Sequence, residues 1–502
     1  MKPAKSTHTH ADMWIRKIAR VYVLAIFTLL PFVISQDSDT AMAKNSAFVF
    51  LTVVCIVVAA FVGVFALIQD TRSIGAQLGK LRKEPLFWLV IAYVAVLLLS
   101  TLFSNDKTAV LRGFTSRDES LPALLLYLFV FCFVAQHYRR STSDFVVLCT
   151  VGLVISLYGL CAYYGFEPIF GESEGITGQV LRHYPFVGNK TYFAIYLNIL
   201  FFFALVLYIK SRARIRFFFA GAALVFFYAL LCVNMDSGYV GLFTALALAV
   251  PILLVERYEL EAFAWIGGGC ALLFLLFQAL FPLANNFGAP TRFLIVPVAL
   301  FAVLCVLLAV LCRKTSIGTS VSRQRLVRIY FIILLIVVIA AWVILPLIAD
   351  WSDSRTLREA AELSRGRFSD EMGSDRGFYW RRAFELFKQK PLLGHGPDQF
   401  SPVFMREYNI EMSSYFSDNL IPDKTHNEYI QRLVDTGLLG LLCSLAIQGY
   451  MLYRAWRSKK TPLVAAAGVV CVAYMAQAFF TFVNPLTTPI MCIVFGMIRQ
   501  QT

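Results

Sequence analysis

The chain has 502 residues, of which 59% are hydrophobic, only 15% are charged and 45 are phenylalanine. A soluble domain carries roughly 25% charged residues, so this composition excludes an ordinary water-soluble enzyme. The net charge of +14 does not point to nucleic acid, because Lys and Arg accumulate on no single face and are spread over alternating loops.

Apolar runs close to the roughly 20 residues needed to cross a bilayer recur along the whole length. Inside lipid every backbone group must be satisfied within its own segment, so these runs are helices. They predict spans near 18–35, 46–68, 86–103, 121–136, 145–165, 191–209, 217–234, 239–255, 263–281, 292–312, 329–348, 428–453, 463–482 and 488–498. The expected fold class is an all-α integral membrane protein of about 12–14 transmembrane helices. The expected domains are helices 1 to 11 over 1–348, an extracytoplasmic loop subdomain of short helices over 349–427, and C-terminal spans over 428–502. The first run also admits a signal-peptide reading, with Ala41-Met42-Ala43 as a small-residue cleavage site, although the apolar run ends well upstream of it.

Segments 1–17, 70–85, 137–144, 210–216, 256–262, 313–328 and 454–462 hold most of the short-loop Lys and Arg, and the alternating loops hold few. The positive-inside rule then predicts both termini in the cytoplasm. All eleven cysteines fall inside or at the ends of predicted spans. They have no metal-ligand spacing and read as small apolar filler.

Two predicted outside segments exceed a mere connection. One is 166–190, with Arg182 and His183 ahead of Gly188-Asn189-Lys190; the other is 349–427, with eleven Lys/Arg and thirteen Asp/Glu, like a folded surface. Within the latter, Ser374 reads as an N-cap and Pro391 as a helix stop. Trp380, Ala383, Phe384 and Phe387 form an apolar stripe, with Arg376 one turn upstream on the same face. An inward arginine beside the positive end of a helix is a good anion site, and the bland alternative is a salt bridge to a loop carboxylate.

The order Arg376, Trp380, Pro391-Leu392-Leu393-Gly394-His395-Gly396-Pro397, His426-Asn427-Glu428-Tyr429 and Thr436-Gly437-Leu438-Leu439-Gly440 resembles the O-antigen ligase and polymerase superfamily over roughly 370–445. The chain departs at Asp236-Ser237-Gly238, where that family often has Ser-Arg-Gly with a diphosphate-binding arginine. Either another residue, such as Arg182 or Lys190, takes that duty, or the second phosphate contact is missing. The resemblance implies a glycosyltransferase of the bacterial cytoplasmic membrane, working on its outer face. Its donor would be a glycan carried on polyprenyl diphosphate, its acceptor another glycan or a lipid core, and it would need no cofactor or metal. Lipid-linked donor, acceptor and membrane lipid are the implied partners.

Such chemistry needs fixed cations at the developing diphosphate charge, with Arg376 as first candidate and Arg182 as second. It also needs a base for the acceptor hydroxyl, for which the imidazole of His426 is suited. The competing reading makes His426 a helix cap. Asn427 is carried into the substrate site by the motif, and Glu428 is a candidate acceptor-sugar contact. Glu428, Arg432 and Asp435 share one helix face, so Arg432 is expected to pair with either neighbour. Asp37 and Asp39 could bracket a divalent ion, but two carboxylates in a short loop more often are simply solvated. The rival function is a transporter or flippase of lipid-linked sugars, for which inverted repeats would be expected and none is seen.

Overall fold

In a computed structural model of the chain, the described residues are 8–35, 39–69, 79, 81–113, 116–164, 166, 186–254, 256–280, 299, 302–303, 323–349, 355–416 and 422–499. The fold is all-α, and among these residues nine helices are long and apolar enough to cross a membrane. Leu121–His137, Tyr330–Ile344 and Thr487–Arg499 are shorter apolar helices.

The helices follow the apolar runs. They are α1 (His8–Thr28), α2 (Thr40–Gln69), α3 (Pro85–Leu102), α4 (Lys107–Arg112), α5 (Leu121–His137) and α6 (Thr142–Tyr163). Next come α7 (Lys190–Lys210), α8 (Arg216–Val233), α9 (Asp236–Leu248), α10 (Val250–Leu253), α11 (Arg257–Leu280) and α12 (Arg323–Ala349). Three helices, α13 (Arg355–Ser364), α14 (Met372–Gln389) and α15 (Phe400–Tyr415), occupy the long connection. The chain then returns through α16 (Glu428–Arg457), α17 (Pro462–Gln477) and α18 (Thr487–Arg499).

Helix α7 is the axis of the bundle. Its apolar window is buried on every side, and it packs against α6, α8, α9, α11 and α17. Asn189 starts it, its carboxamide oxygen accepting from the backbone N–H of Thr191 at 2.8 Å.

Two expectations at the start of the chain change. The first run was placed at 18–35, but α1 begins at His8 and ends at Thr28, followed by a 3-10 turn at Leu30–Phe32. The fully buried Lys44 ammonium donates to the carbonyls of Leu30, Pro31 and Val33 at 3.0, 2.9 and 2.7 Å, closing that end. Ala41-Met42-Ala43 lies in the first turn of α2, not in an extended segment. Most of the span expected at 292–312 lies outside the described residues.

Helix α14 does not start on a Ser374 cap. Gly373, Ser374 and Asp375 all have left-handed backbone (φ 64°, 59° and 67°), and the regular helix follows them. Its buried face is also rotated from the predicted stripe. Phe378, Tyr379, Ala383 and Leu386 are buried, whereas Phe384 is 47% exposed. The reason is α15, whose Phe400 and Phe404 pack with Phe378 and Tyr379 in a separate aromatic core.

The two glycine-rich motifs are a single joint. Residues 391–396 lie against a break in α16 at Gly437, with Leu438 N–H donating to Pro391 O at 2.8 Å and His395 N–H to Val434 O at 2.8 Å. A Cβ on Gly437 would stand 2.3 Å from the Leu392 carbonyl, and one on Gly394 2.5 Å from the Val434 carbonyl oxygen. Both glycines also have positive φ (67° and 68°). Gly437→Ala should therefore destabilise the chain by about 2–5 kcal/mol, combining left-handed strain with overpacking. Thermal melting of the purified full-length protein checks this, and an unchanged midpoint would contradict the joint.

Candidate functional site

One end of the bundle gathers the starts of α7, α9, α14 and α16, the loop before α5, and the turn between α17 and α18. The turn carries Phe482, which is buried at 3% exposure. The His426 ring stands edge-on to Phe482 with centroids 4.9 Å apart, and the Arg117 guanidinium lies 4.7 Å from the same ring's centroid. Arg376 and Arg117 both act electrostatically on His426, opposed by Asp423. Asp236 acts in turn on both Arg376 and Lys190.

His426 itself sits at φ 56°, a left-handed conformation that histidine adopts more readily than branched residues. Its neighbours are held firmly. Trp380 Nε1 donates to Thr425 O at 2.8 Å, and Thr425 N–H donates to Gln431 Oε1 at 3.0 Å. Asn427 is the N-cap of α16, its side-chain oxygen accepting from Tyr429 and Ile430 N–H at 3.0 and 3.1 Å. The capping reading of His426 is thus corrected: the next residue caps. Among the described residues the imidazole has no hydrogen-bond partner. Backbone strain at a side chain with an unused acceptor is the pattern of a functional position.

Burial pushes the His426 pKa down, and the Arg376 and Arg117 charges push it further, to about 4. The ring is therefore neutral at pH 7 and able to accept a proton. Burial likewise opposes the Arg376 charge, partly offset by Asp236 and Glu359, and a guanidinium remains charged regardless. Arg376 has neither hydrogen bond nor ion pair among the described residues, so the expected alternative of a salt bridge to a loop carboxylate is not formed there. Arg117 is ion-paired to Asp423, and its Nε is buried without a partner.

The Arg117 loop is anchored on both sides. Ser116 Oγ donates to Asp39 Oδ2 at 2.6 Å. On the other side the wholly buried Lys424 ammonium lies 2.7 Å from Glu119 and 2.6 Å from Asp398. This triad joins the Arg117 loop, the 391–399 segment and the strand of chain ending in His426. Burial works against the Lys424 charge, but Asp398 and Glu119 outweigh it and raise its pKa above the ordinary lysine range. Lys424→Met should lower stability by about 3–5 kcal/mol, because it leaves buried carboxylates without their cation. Denaturation of the full-length variant tests this, and a loss below about 1 kcal/mol would assign the triad no such role.

Other predicted residues fall as follows. Lys190 opens α7 beside Asp236. Arg182 and His183 lie outside the described residues, as does Asp37. Asn427 is occupied as a cap. Glu428 is ion-paired to Arg432 and accepts from Tyr474 Oη at 3.0 Å, so both its oxygens are engaged within the bundle. Asp435 does not pair with Arg432. It accepts from Gln399 and Phe400 N–H at 3.2 and 2.9 Å, at the start of α15, where the helix dipole favours an anion. His395 is buried, its Nε2 donating to Leu386 O at 2.9 Å. The nine described cysteines are free thiols.

Arg117, Asp423, Lys424 and Phe482 were missed from sequence. One signal existed for Arg117: a cation immediately before an apolar run, on a loop that the charge asymmetry places outside, runs against the positive-inside trend.

Residues 296–445 match the family model described as O-antigen ligase, a stretch that contains Arg376, Lys424 and His426. The match supports the O-antigen ligase superfamily for this chain, and with it an O-antigen ligase-like membrane enzyme of surface polysaccharide assembly. No curated protein and no solved structure gives a significant match.

Proposed function

Starting from the O-antigen ligase match of 296–445, we propose that the chain transfers or polymerises a glycan from polyprenyl diphosphate onto an acceptor hydroxyl, on the extracytoplasmic face of a bacterial inner membrane. The observation that carries this reading is a neutral, unpartnered His426 ring flanked by the Arg376 and Arg117 guanidiniums. The acceptor oxygen attacks the anomeric carbon while its proton passes to a ring nitrogen of His426. The bond from that carbon to the phosphate oxygen breaks, and its electron pair stays on the diphosphate.

Arg376 and Arg117 face that developing charge. Each preorganised donor in a water-poor site is worth about 3–4 kcal/mol of barrier. Arg117 thus takes the duty that the absent arginine near Asp236 leaves open, with Lys190 as an outer cation. Phe482 and Tyr192 wall the site and keep its dielectric low, which strengthens these interactions. The anion is held by guanidiniums, and the substitution is a single displacement.

Reconstituted transfer from a polyprenyl-diphosphate donor, with the product's anomeric configuration read by NMR, tests the step. Inversion is expected, and retention would reject direct displacement. The orientation has its own test. Cysteine reporters in 349–427 should label from outside intact cells, and those in 313–328 should be shielded. Labelling of both from outside would overturn the arrangement.

A further inference from the structure

The end of the bundle opposite His426 holds a concavity of about 680 Å³ between the first half of α1 and the start of α6. It is lined by five cations (Arg16, Lys17, Arg20, Arg139 and Arg140) and a single carboxylate, Asp12. Arg20 is answered by Asp144 at 2.7 Å, and Arg140 donates to the Met497 carbonyl at 2.9 Å. Arg16 and Arg139 have no hydrogen bond or ion pair among the described residues. The start of α6 faces the same space, with Ser141 in the lining, and adds the positive end of its dipole. Cations gathered this closely repel one another unless an anion joins them.

The setting indicates what kind of anion. Trp14 is 53% exposed, with the Lys17 ammonium 4.7 Å from its ring centroid, and Val21 on the same face one further stretch along α1 is 66% exposed. An exposed Trp beside Lys marks the headgroup level of a bilayer, and the valine beyond it lies at acyl-chain depth. Charge and apolar surface are therefore presented side by side.

We propose that this concavity binds the phosphate headgroup of an anionic phospholipid, whose chains lie along the exposed face of α1. The site is separate from the His426 centre, and it requires no particular view of the chemistry there. A basic pocket between transmembrane helices on the cytoplasmic side suits such a headgroup.

The test uses the purified full-length chain in a mild detergent, titrated with phosphatidylglycerol, phosphatidylcholine or inorganic phosphate, with bound lipid counted by native mass spectrometry. Saturable retention of phosphatidylglycerol is expected, with little of phosphatidylcholine. The double variant Arg16→Gln/Arg139→Gln should bind it roughly thirtyfold more weakly, at about a factor of five for each neutralised charge. Raising the salt should weaken binding to the wild-type chain, a readout that needs no variant. Equal retention of the two lipids, wild-type affinity in the double variant, or salt-insensitive binding would overturn the proposal. Competition by inorganic phosphate alone at the same concentration would overturn the lipid as its source.

Discussion

His426→Asn should leave protein level, membrane insertion and donor binding intact while transfer falls by about two to four orders of magnitude, the usual contribution of a positioned base. Asparagine is the informative replacement for two reasons. It accepts the left-handed backbone that His426 adopts (φ 56°), so the variant adds little strain. It also cannot act as a base near neutral pH. Helix capping does not confuse the result, because Asn427 already supplies the cap. Turnover close to wild type in a reconstituted assay would end the assignment of His426 as base.

Arg376→Ala should reduce transfer by about 10²–10³, the effect of removing one preorganised donor from a developing oxyanion. Arg376→Lys should restore little, because an ammonium lacks the planar fork that matches two phosphate oxygens. Arg381→Ala is the control. Arg381 is half-exposed, ion-paired to Asp370 at 3.3 Å and bonded to the Phe368 carbonyl at 2.8 Å, so its loss should be mild. If Arg376 and Arg117 hold one diphosphate, their losses should not add in a double-mutant cycle. Strict additivity would mean that they serve different groups.

The electrostatics of the cluster predict a pH signature as well. With the His426 pKa at about 4, the base form persists across the neutral range and is lost only as pH falls through that value. The acid limb of kcat/KM should therefore lie near pH 4 in the free enzyme. Burial is the larger cause of the depression and Arg376 the next, so Arg376→Ala should raise the His426 pKa. The acid limb of that variant then moves to higher pH. A limb that stays in place would show that Arg376 does not act on the titrating group.

Much of this molecule is readable in one dimension. Membrane helices are local objects: each satisfies its own backbone, and length and apolarity alone disclose it, which is why α2, α3, α6, α7, α8, α11, α16 and α17 lie close to their predicted runs. The motif order from Arg376 to Gly440 likewise pointed to the O-antigen ligase superfamily, and the match over 296–445 supports it.

What the tertiary structure alone decided is which polar groups meet. The predicted stripe on α14 missed its true face because α15 supplies the partner surface, and periodicity says nothing about where a partner lies. Lys424 joins carboxylates at 119 and 398, and Arg117 reaches the site from a loop 309 positions before His426. Buried charges are stable only when paired, and that pairing is a property of distant segments brought together. Asn427, rather than His426, caps α16: His426 has left-handed backbone, and the helix begins at Glu428 directly after the Asn427 cap. Among the described residues, sequence by itself determined most of the membrane helices, their order and the two glycine motifs. Packing decided that those motifs form one joint, and that Arg376, Arg117 and the ring of His426 lie in one cluster.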